Sequence, residues 1–191
     1  MLKKMEQIRH AIKNLISISE DELNSLTSKF TSRTFKRNEI TSLPNSILNE
    51  VYFVNTGLVR IIITDNKGKE HTLHFAMENQ FIADYPSYLL KQPSIYTLQA
   101  VEETQVVVLS RSAIEWAYKN LKEGQKLGRL IAEFYFIFQD DRVKNLYVRS
   151  PKQRYDCITT LFPNIHNRVP QHMIASYLGI SPVHLSRLKK M

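Results

Sequence analysis

Hydrophobic positions along this chain change their period twice. Near the start, Met5, Ile8, Ile12 and Leu15 recur at helical spacing, which predicts a helix running to about Ile16. Ser19-Glu-Asp-Glu22 has the form of a capping box and opens a second short helix through Leu23 and Leu26. From Phe30 the pattern shifts to short stretches rich in β-branched and aromatic residues, at Thr31–Arg37, Val51–Val54, Leu58–Thr64, Glu70–Phe75 and Tyr96–Leu109. Asn66-Lys67-Gly68 predicts a hairpin between two of them, and Asn55-Thr56-Gly57 another turn. Regularly spaced short strands of this kind predict a small antiparallel barrel or jelly roll.

After Leu109 the helical period returns. Ile114, Trp116 and Ala117 belong to a short helix ending near Asn120, and a longer helix is predicted from about Glu123 to Val148. Its apolar positions Leu127, Leu130, Ile131, Phe134, Ile137 and Phe138 form one broad stripe. Such a stripe can pack on the barrel or on a second copy of itself, and the pattern leaves both open. Ser150-Pro-Lys-Gln153 caps the next helix, with proline at its first position; Tyr155, Ile158, Leu161 and Phe162 follow, and Pro163 stops it. Pro170 then starts the last pair of helices.

That pair, Gln171 to Lys190, has the features a helix-turn-helix needs. Ala175 is small where two helices cross, and Gly179 tolerates the positive φ of a tight turn. Ile174 and Leu178 on one side, and Ile180, Leu185 and Leu188 on the other, supply buried positions. Ser181-Pro182 is an N-cap followed by proline at the first helical position. The predicted class is α+β: an antiparallel jelly roll with flanking helices over residues 1–122, a long helix over 123–148, and a helical DNA-binding unit over 149–191.

Charge changes this picture by pointing to a partner. The 191 residues carry a net charge of +8. Residues 142–191 hold nine Lys and Arg against Asp156 alone, so the entire excess lies in the segment that carries the helix pair. A basic helical segment of this kind fits a polyanion, and double-stranded DNA is the leading candidate. No apolar run reaches membrane-spanning length, and Met1-Leu-Lys-Lys lacks a following apolar stretch, so a cytoplasmic protein with no membrane partner is expected.

Enzymatic chemistry finds little support. The single cysteine, Cys157, excludes an intramolecular disulfide and a cysteine-rich iron–sulfur or zinc site, and reads as a buried small hydrophobe in a helix. Jelly rolls also include cupin-type metal enzymes, which makes His71, His74 and Glu78 the ligands to test. On an unbroken strand His71 and His74, three apart, point to opposite faces. There is no nucleophile elbow and no glycine-rich phosphate loop. The expectation is no catalysis, no metal and no cofactor; a roll that serves only as an interaction module is the other alternative.

The order of roll, long helix and helix-turn-helix resembles the Crp/Fnr family of bacterial transcription regulators. The resemblance rests on Val51-Tyr-Phe-Val-Asn-Thr-Gly-Leu-Val-Arg60, on Leu98-Gln-Ala-Val-Glu-Glu-Thr-Gln-Val-Val-Val-Leu109 and on Ala175-Ser-Tyr-Leu-Gly-Ile-Ser-Pro182. It implies a homodimer formed through the long helix (Leu127, Leu130, Ile131, Phe134, Ile137 and Phe138). It also implies a two-fold symmetric DNA site with half-sites about one helical turn apart, and RNA polymerase as a further partner. The resemblance places the effector site around Asp84, Tyr85 and Ser94. Cyclic-nucleotide binders of the family carry Gly-Glu where this chain has Ala83-Asp84, and Arg-Ser or Arg-Thr where it has Ser94-Ile95. Without the arginine a buried phosphate loses its charge-assisted contact, so an effector other than cyclic AMP, or none, is expected.

The DNA-reading face departs from the family as well. Positions that are often Arg, Glu and Arg are here Pro182, Val183 and Arg187. Arg187 is the candidate bidentate guanine reader, Val183 meets a thymine methyl, and His184, Ser186 and Lys190 add polar contacts. Gln171 and Ser181 are placed for phosphates. The sequence ends at Met191, just after the second helix, so the family's β-wing is expected elsewhere or not at all.

Overall fold

A computed structural model describes residues 5–190; Met1-Leu-Lys-Lys and Met191 lie outside the described residues. Two N-terminal helices, α1 (Glu6–Leu15) and α2 (Glu20–Thr27), lead into eight strands: β1 (Thr31–Phe35), β2 (Ile40–Ser42), β3 (Glu50–Thr56), β4 (Val59–Thr64), β5 (Glu70–Ala76), β6 (Phe81–Ile82), β7 (Tyr96–Ala100) and β8 (Thr104–Ser110). A short helix α3 (Tyr85–Leu90) interrupts the strands. Helices α4 (Arg111–Asn120), α5 (Gly124–Val148), α6 (Pro151–Leu161), α7 (Ile165–Arg168), α8 (Gln171–Leu178) and α9 (Pro182–Leu188) complete the chain.

The strands form two antiparallel four-stranded sheets, ordered β1-β8-β3-β6 and β2-β7-β4-β5, which face each other as a roll. Alternation sorts the side chains into an inner and an outer set. Tyr52, Val54, Val106 and Val108 join Ile61 and Leu98 in the interior. Val51, Phe53, Val107 and Leu109, the intervening positions, pack on α1, α2, α4 and the start of α5. Both predicted capping boxes form, at Ser19/Glu22 and Ser150/Gln153. The Asn66-Lys67-Gly68 hairpin joins β4 to β5, where the Asp65 carboxylate accepts from the Lys67 and Lys69 backbone.

Several predicted elements differ. The stretch Tyr96–Leu109 is two strands in opposite sheets, because the chain turns a corner at Val101–Glu103. Thr104 holds that corner, its Oγ1 accepting from Leu58 N (3.1 Å) and donating to Leu58 O (3.2 Å). Four short elements, β2, β6, α3 and α7, escape the pattern because two to six residues carry no readable period. In β5 a bulge falls at Leu73: Ile61 pairs with His74 but Ile62 pairs with Thr72. Cys157 is half-buried, not buried, and its sulfur accepts from Arg149 Nη1 at 2.9 Å.

The C-terminal helices rest on the outer face of the second sheet. Phe75 of β5 packs edge-on against Phe162, with ring centroids 5.7 Å apart, and Tyr177 of α8 closes the group at 5.4 Å from Phe75. Around this apolar centre run polar links. The Thr72 backbone N–H donates to Ser176 Oγ at 2.8 Å. Arg142 on α5 donates to the carbonyls of Thr72 (3.0 Å) and Tyr177 (3.2 Å) and lies over the Tyr177 ring. Among the described residues no helix is long and apolar enough to cross a membrane.

Candidate functional site

The helix-turn-helix forms as two short helices crossing at Ala175, which is fully buried. Gly179 adopts φ +68°, and the chain reverses through two bonds, Gly179 N to Ser176 O (3.1 Å) and Ile180 N to Ala175 O (3.0 Å). This is a Schellman ending, which needs a residue without a Cβ penalty at the left-handed position. Ser181 then caps α9 by accepting from His184 N at 3.1 Å. Leu185 and Leu188 are buried beneath α9, so its other side faces outward.

All seven residues predicted to meet DNA are exposed: Gln171, Ser181, Val183, His184, Ser186, Arg187 and Lys190. Val183 and Arg187, four apart, share one face of α9, and Lys190 follows just after the helix. Ser181 Oγ accepts as the cap, so its hydroxyl hydrogen is still available to donate. The sequence-level charge excess is smaller in space than along the chain. Arg168 forms a bidentate pair with Glu78 (3.0 and 2.8 Å), contacts Glu102 Oε1 through Nε at 3.1 Å, and donates to Gly57 O at 3.0 Å. Its acidic partners lie in the roll, far away in sequence. Arg154 donates to the carbonyls of Leu178, Leu146 and Arg149, and Lys152 pairs with Asp156 at 2.8 Å. Lys144 pairs with Asp140. Arg187, Lys189 and Lys190 make no ion pair among the described residues, and they lie on or just after α9.

The predicted stripe on α5 divides. Leu127 is buried, Leu130 and Ile131 pack partly against the helical core beside it, and Phe138 packs against the C-terminal core. Phe134 and Ile137 are exposed, and so are Phe136, Val143, Tyr147 and Val148, which stand outside the predicted stripe. Phe136, Val143 and Tyr147, at i, i+7 and i+11, form an apolar seam of the spacing used by helix pairs. A long helix packed by its own chain on one side leaves the other for a partner, and periodicity alone cannot divide the two.

The three residues named for an effector are not brought to one cavity. Asp84 is buried and caps α3, accepting from Ser87 N at 3.1 Å, while its second oxygen has no partner. Ser94 is a turn residue whose Oγ accepts from Tyr96 N (2.8 Å) and donates to Tyr96 O (3.1 Å). Only Tyr85 of the three lines a cavity of about 320 Å³ that lies between α5, the N-terminal helices and the outer face of the first sheet.

The metal reading fails on geometry. The bulge at Leu73 sets His71 and His74 opposite Ile63 and Ile61, on one face after all, but their side chains separate. His71 bonds Asp65 at 2.8 Å, and that contact, with two backbone donors, lowers the Asp65 carboxyl to about 2. His74 is buried between the rings of Phe138 (4.8 Å) and Tyr135 (6.0 Å), and burial, with Arg142 nearby, lowers it to about 3. Glu78 belongs to Arg168. Among the described residues no three His, Cys, Asp or Glu come together as a metal site.

Residues 32–120 match the model of the cyclic nucleotide-binding domain. Over most of its length the chain superposes on FixK2 from Bradyrhizobium japonicum with a TM-score of 0.71 at 19% identity, covering 84% of this chain and 83% of that one. The c-di-GMP-responsive global regulator CLP of Xanthomonas campestris gives 0.68 at 13% identity, with 90% of each chain covered. Thermus thermophilus catabolite activator protein gives 0.59 at 16% identity, covering 94% of this chain and 85% of that one. The chain has the Crp/Fnr fold. No match is found among curated protein sequences. The Crp/Fnr arrangement places the roll, the long helix and the helix pair in the order seen here.

Proposed function

We propose that this protein is a dimeric, DNA-binding transcriptional regulator of Crp/Fnr type that acts in the cytoplasm. The observation that carries this reading is the outward face of α9. Val183, His184, Ser186 and Arg187 are all exposed on a helix anchored from behind by Leu185 and Leu188, and Lys190 is exposed just after it. Residues 123–148 serve as the dimerisation helix through the seam of Phe136, Val143 and Tyr147. A two-fold axis there presents two copies of α9 to successive major grooves. RNA polymerase is the partner such a regulator recruits or blocks. The roll of residues 1–122 is the sensor, and cyclic AMP is not its effector, since neither Asp84 nor Ser94 offers a cation to a phosphate.

Selection from random duplex DNA tests the reading. A palindromic site is expected to be enriched, with affinity falling steeply as salt rises, because each phosphate neutralised releases a counterion. Arg187→Ala is expected to relax preference at one base pair per half-site, by about 1–3 kcal/mol, without a matching loss on other sequences. No enrichment and no salt dependence would remove DNA from the reading and leave the interaction module.

A further inference from the structure

The large cavity has a composition of its own. No charged side chain lines it. Its walls are mainly aliphatic and aromatic, from Ala11 and Leu15 on α1 and Phe81 on β6 to Ile131 on α5, with the neutral polar side chains of Asn14, His74, Asn79 and Gln80 among them. Four tyrosines, Tyr85, Tyr88, Tyr118 and Tyr135, converge on it from three helices. Tyr85 stacks on Tyr88 with centroids 6.3 Å apart and planes 8° from parallel, and tilts against Tyr135 at 6.0 Å. Tyr118 lies flush against α5, where the helix carries Gly128: a Cβ there would fall 2.5 Å from the Tyr118 ring and hydroxyl.

The hydroxyls of Tyr85, Tyr88 and Tyr118 make no hydrogen bond to protein among the described residues, although burial raises all three pKa values and their charges, if formed, would repel one another. At neutral pH they are therefore three neutral donor–acceptor groups on an apolar wall. A volume of about 320 Å³ falls at the small end of sites that hold small molecules, which combine apolar walls with a few convergent polar groups. An anion would enter without a counter-charge, and a cation likewise.

We propose that this cavity, on the helix-covered side of the first sheet and apart from Asp84 and Ser94, binds a neutral, mainly apolar molecule of one or two rings whose hydroxyl or carbonyl oxygen meets the tyrosine hydroxyls. One wall of the site is α5, the helix that carries Arg142 to the helix-turn-helix, so occupancy acts on the element that joins sensor to reader. Ligand binding itself does not require DNA binding and can fail or succeed independently.

The probe is 2-naphthol, a neutral two-ring molecule with one hydroxyl, titrated calorimetrically into the full chain. Saturable binding at one site per chain is expected, with 2-naphthoate at least tenfold weaker because its carboxylate finds no cation. Tyr85→Phe with Tyr118→Phe keeps the shape and is expected to weaken 2-naphthol about fivefold or more while leaving naphthalene unchanged. Ala11→Trp, which fills the cavity from α1, is expected to abolish binding of both, with circular dichroism confirming that each variant folds. Equal affinity for the naphthoate, no saturable site, or indifference to Ala11→Trp would overturn the proposal. So would binding that disappears as protein concentration drives dimer formation, which would assign the cavity to a second copy. A palindromic DNA site found without 2-naphthol binding would sink the cavity alone; 2-naphthol binding without DNA selection would sink the regulator reading alone.

Discussion

The roll is covered on both outer faces, and the two covers are made differently. On the first sheet, Phe53 and Val107 meet Ile8, Leu23 and Ala113 in an apolar layer, and the polar links there run between helices or to the loop before β3: Ser17 N to Glu123, Lys122 N to Glu22, and Arg111 to Asn49 and Leu48. On the second, Phe75 meets Phe162 and Tyr177, but the contact is framed by Ser176 on the Thr72 backbone, by Arg142 on two carbonyls and by Arg168 on Glu78, Glu102 and Gly57. Apolar burial has no direction, whereas hydrogen bonds fix register and angle. The helices on the first sheet are tied mainly to one another; the helix-turn-helix unit on the second is tied to β5 itself and to the loops at the sheet's end, which fixes its orientation. That difference suits the proposed regulator, whose helix pair has to be aimed by the roll.

Phe162→Ala would challenge the contrast hardest. The side chain is fully buried and touches Phe75, Phe138 and Tyr177, so its loss is expected to cost about 3–5 kcal/mol in urea denaturation. A single transition would show that roll and reader unfold as one unit; two transitions would show that the polar frame orients the reader without merging the cores.

Arg168→Ala removes the widest polar link. The expected loss is about 1–3 kcal/mol, since Glu78 and Glu102 keep their charges without a partner. Hydrogen exchange is expected to speed up at Met173–Tyr177 while Val106–Val108 stay protected. Equal change in both would mean that Arg168 serves global stability and not orientation.

Acid offers a smaller effect. His74 takes its proton near pH 6.5 when unfolded but only near pH 3 when folded, because burial excludes the charge. Between these values the unfolded chain holds more protons, so His74 weakens the fold as pH falls, by at most ~1.4 kcal/mol per pH unit. His74→Phe is expected to flatten the stability profile between pH 6 and 4, read by denaturant titration at each pH. An unchanged slope would place the acid sensitivity elsewhere.

Phe136→Glu is expected to change monomer stability least, within about 0.5 kcal/mol, because the side chain is largely exposed. Sedimentation should nevertheless show the dimer lost. A dimer that survives would move the two-fold contact off this seam.

The helical segments were legible because their signals are local. Capping boxes at Ser19 and Ser150, the glycine turn at Gly179 and the period of α5 each act within a few residues, and each formed as read. The α+β class and the order of units followed from the same patterns. The exposed set on α9 was also legible, since Leu185 and Leu188 mark its buried side and so define the other.

What the chain could not announce are contacts between distant residues. Nine basic residues in the last fifty looked like one reserve of charge for DNA, but Arg168 finds Glu78 and Glu102 in the roll, and Arg142 and Arg154 spend their donors on backbone carbonyls. Asp84 and Ser94 became a helix cap and a turn, because nearby backbone groups engage one oxygen of Asp84 and the hydroxyl of Ser94. The stripe on α5 served two cores and an open seam, a division made by what packs on the helix and not by its own period. Local sequence determined most of the longer elements and where they end; only the tertiary fold decided which charges remain unpaired and where a tyrosine-lined cavity forms, because both depend on residues that meet only once the chain has folded.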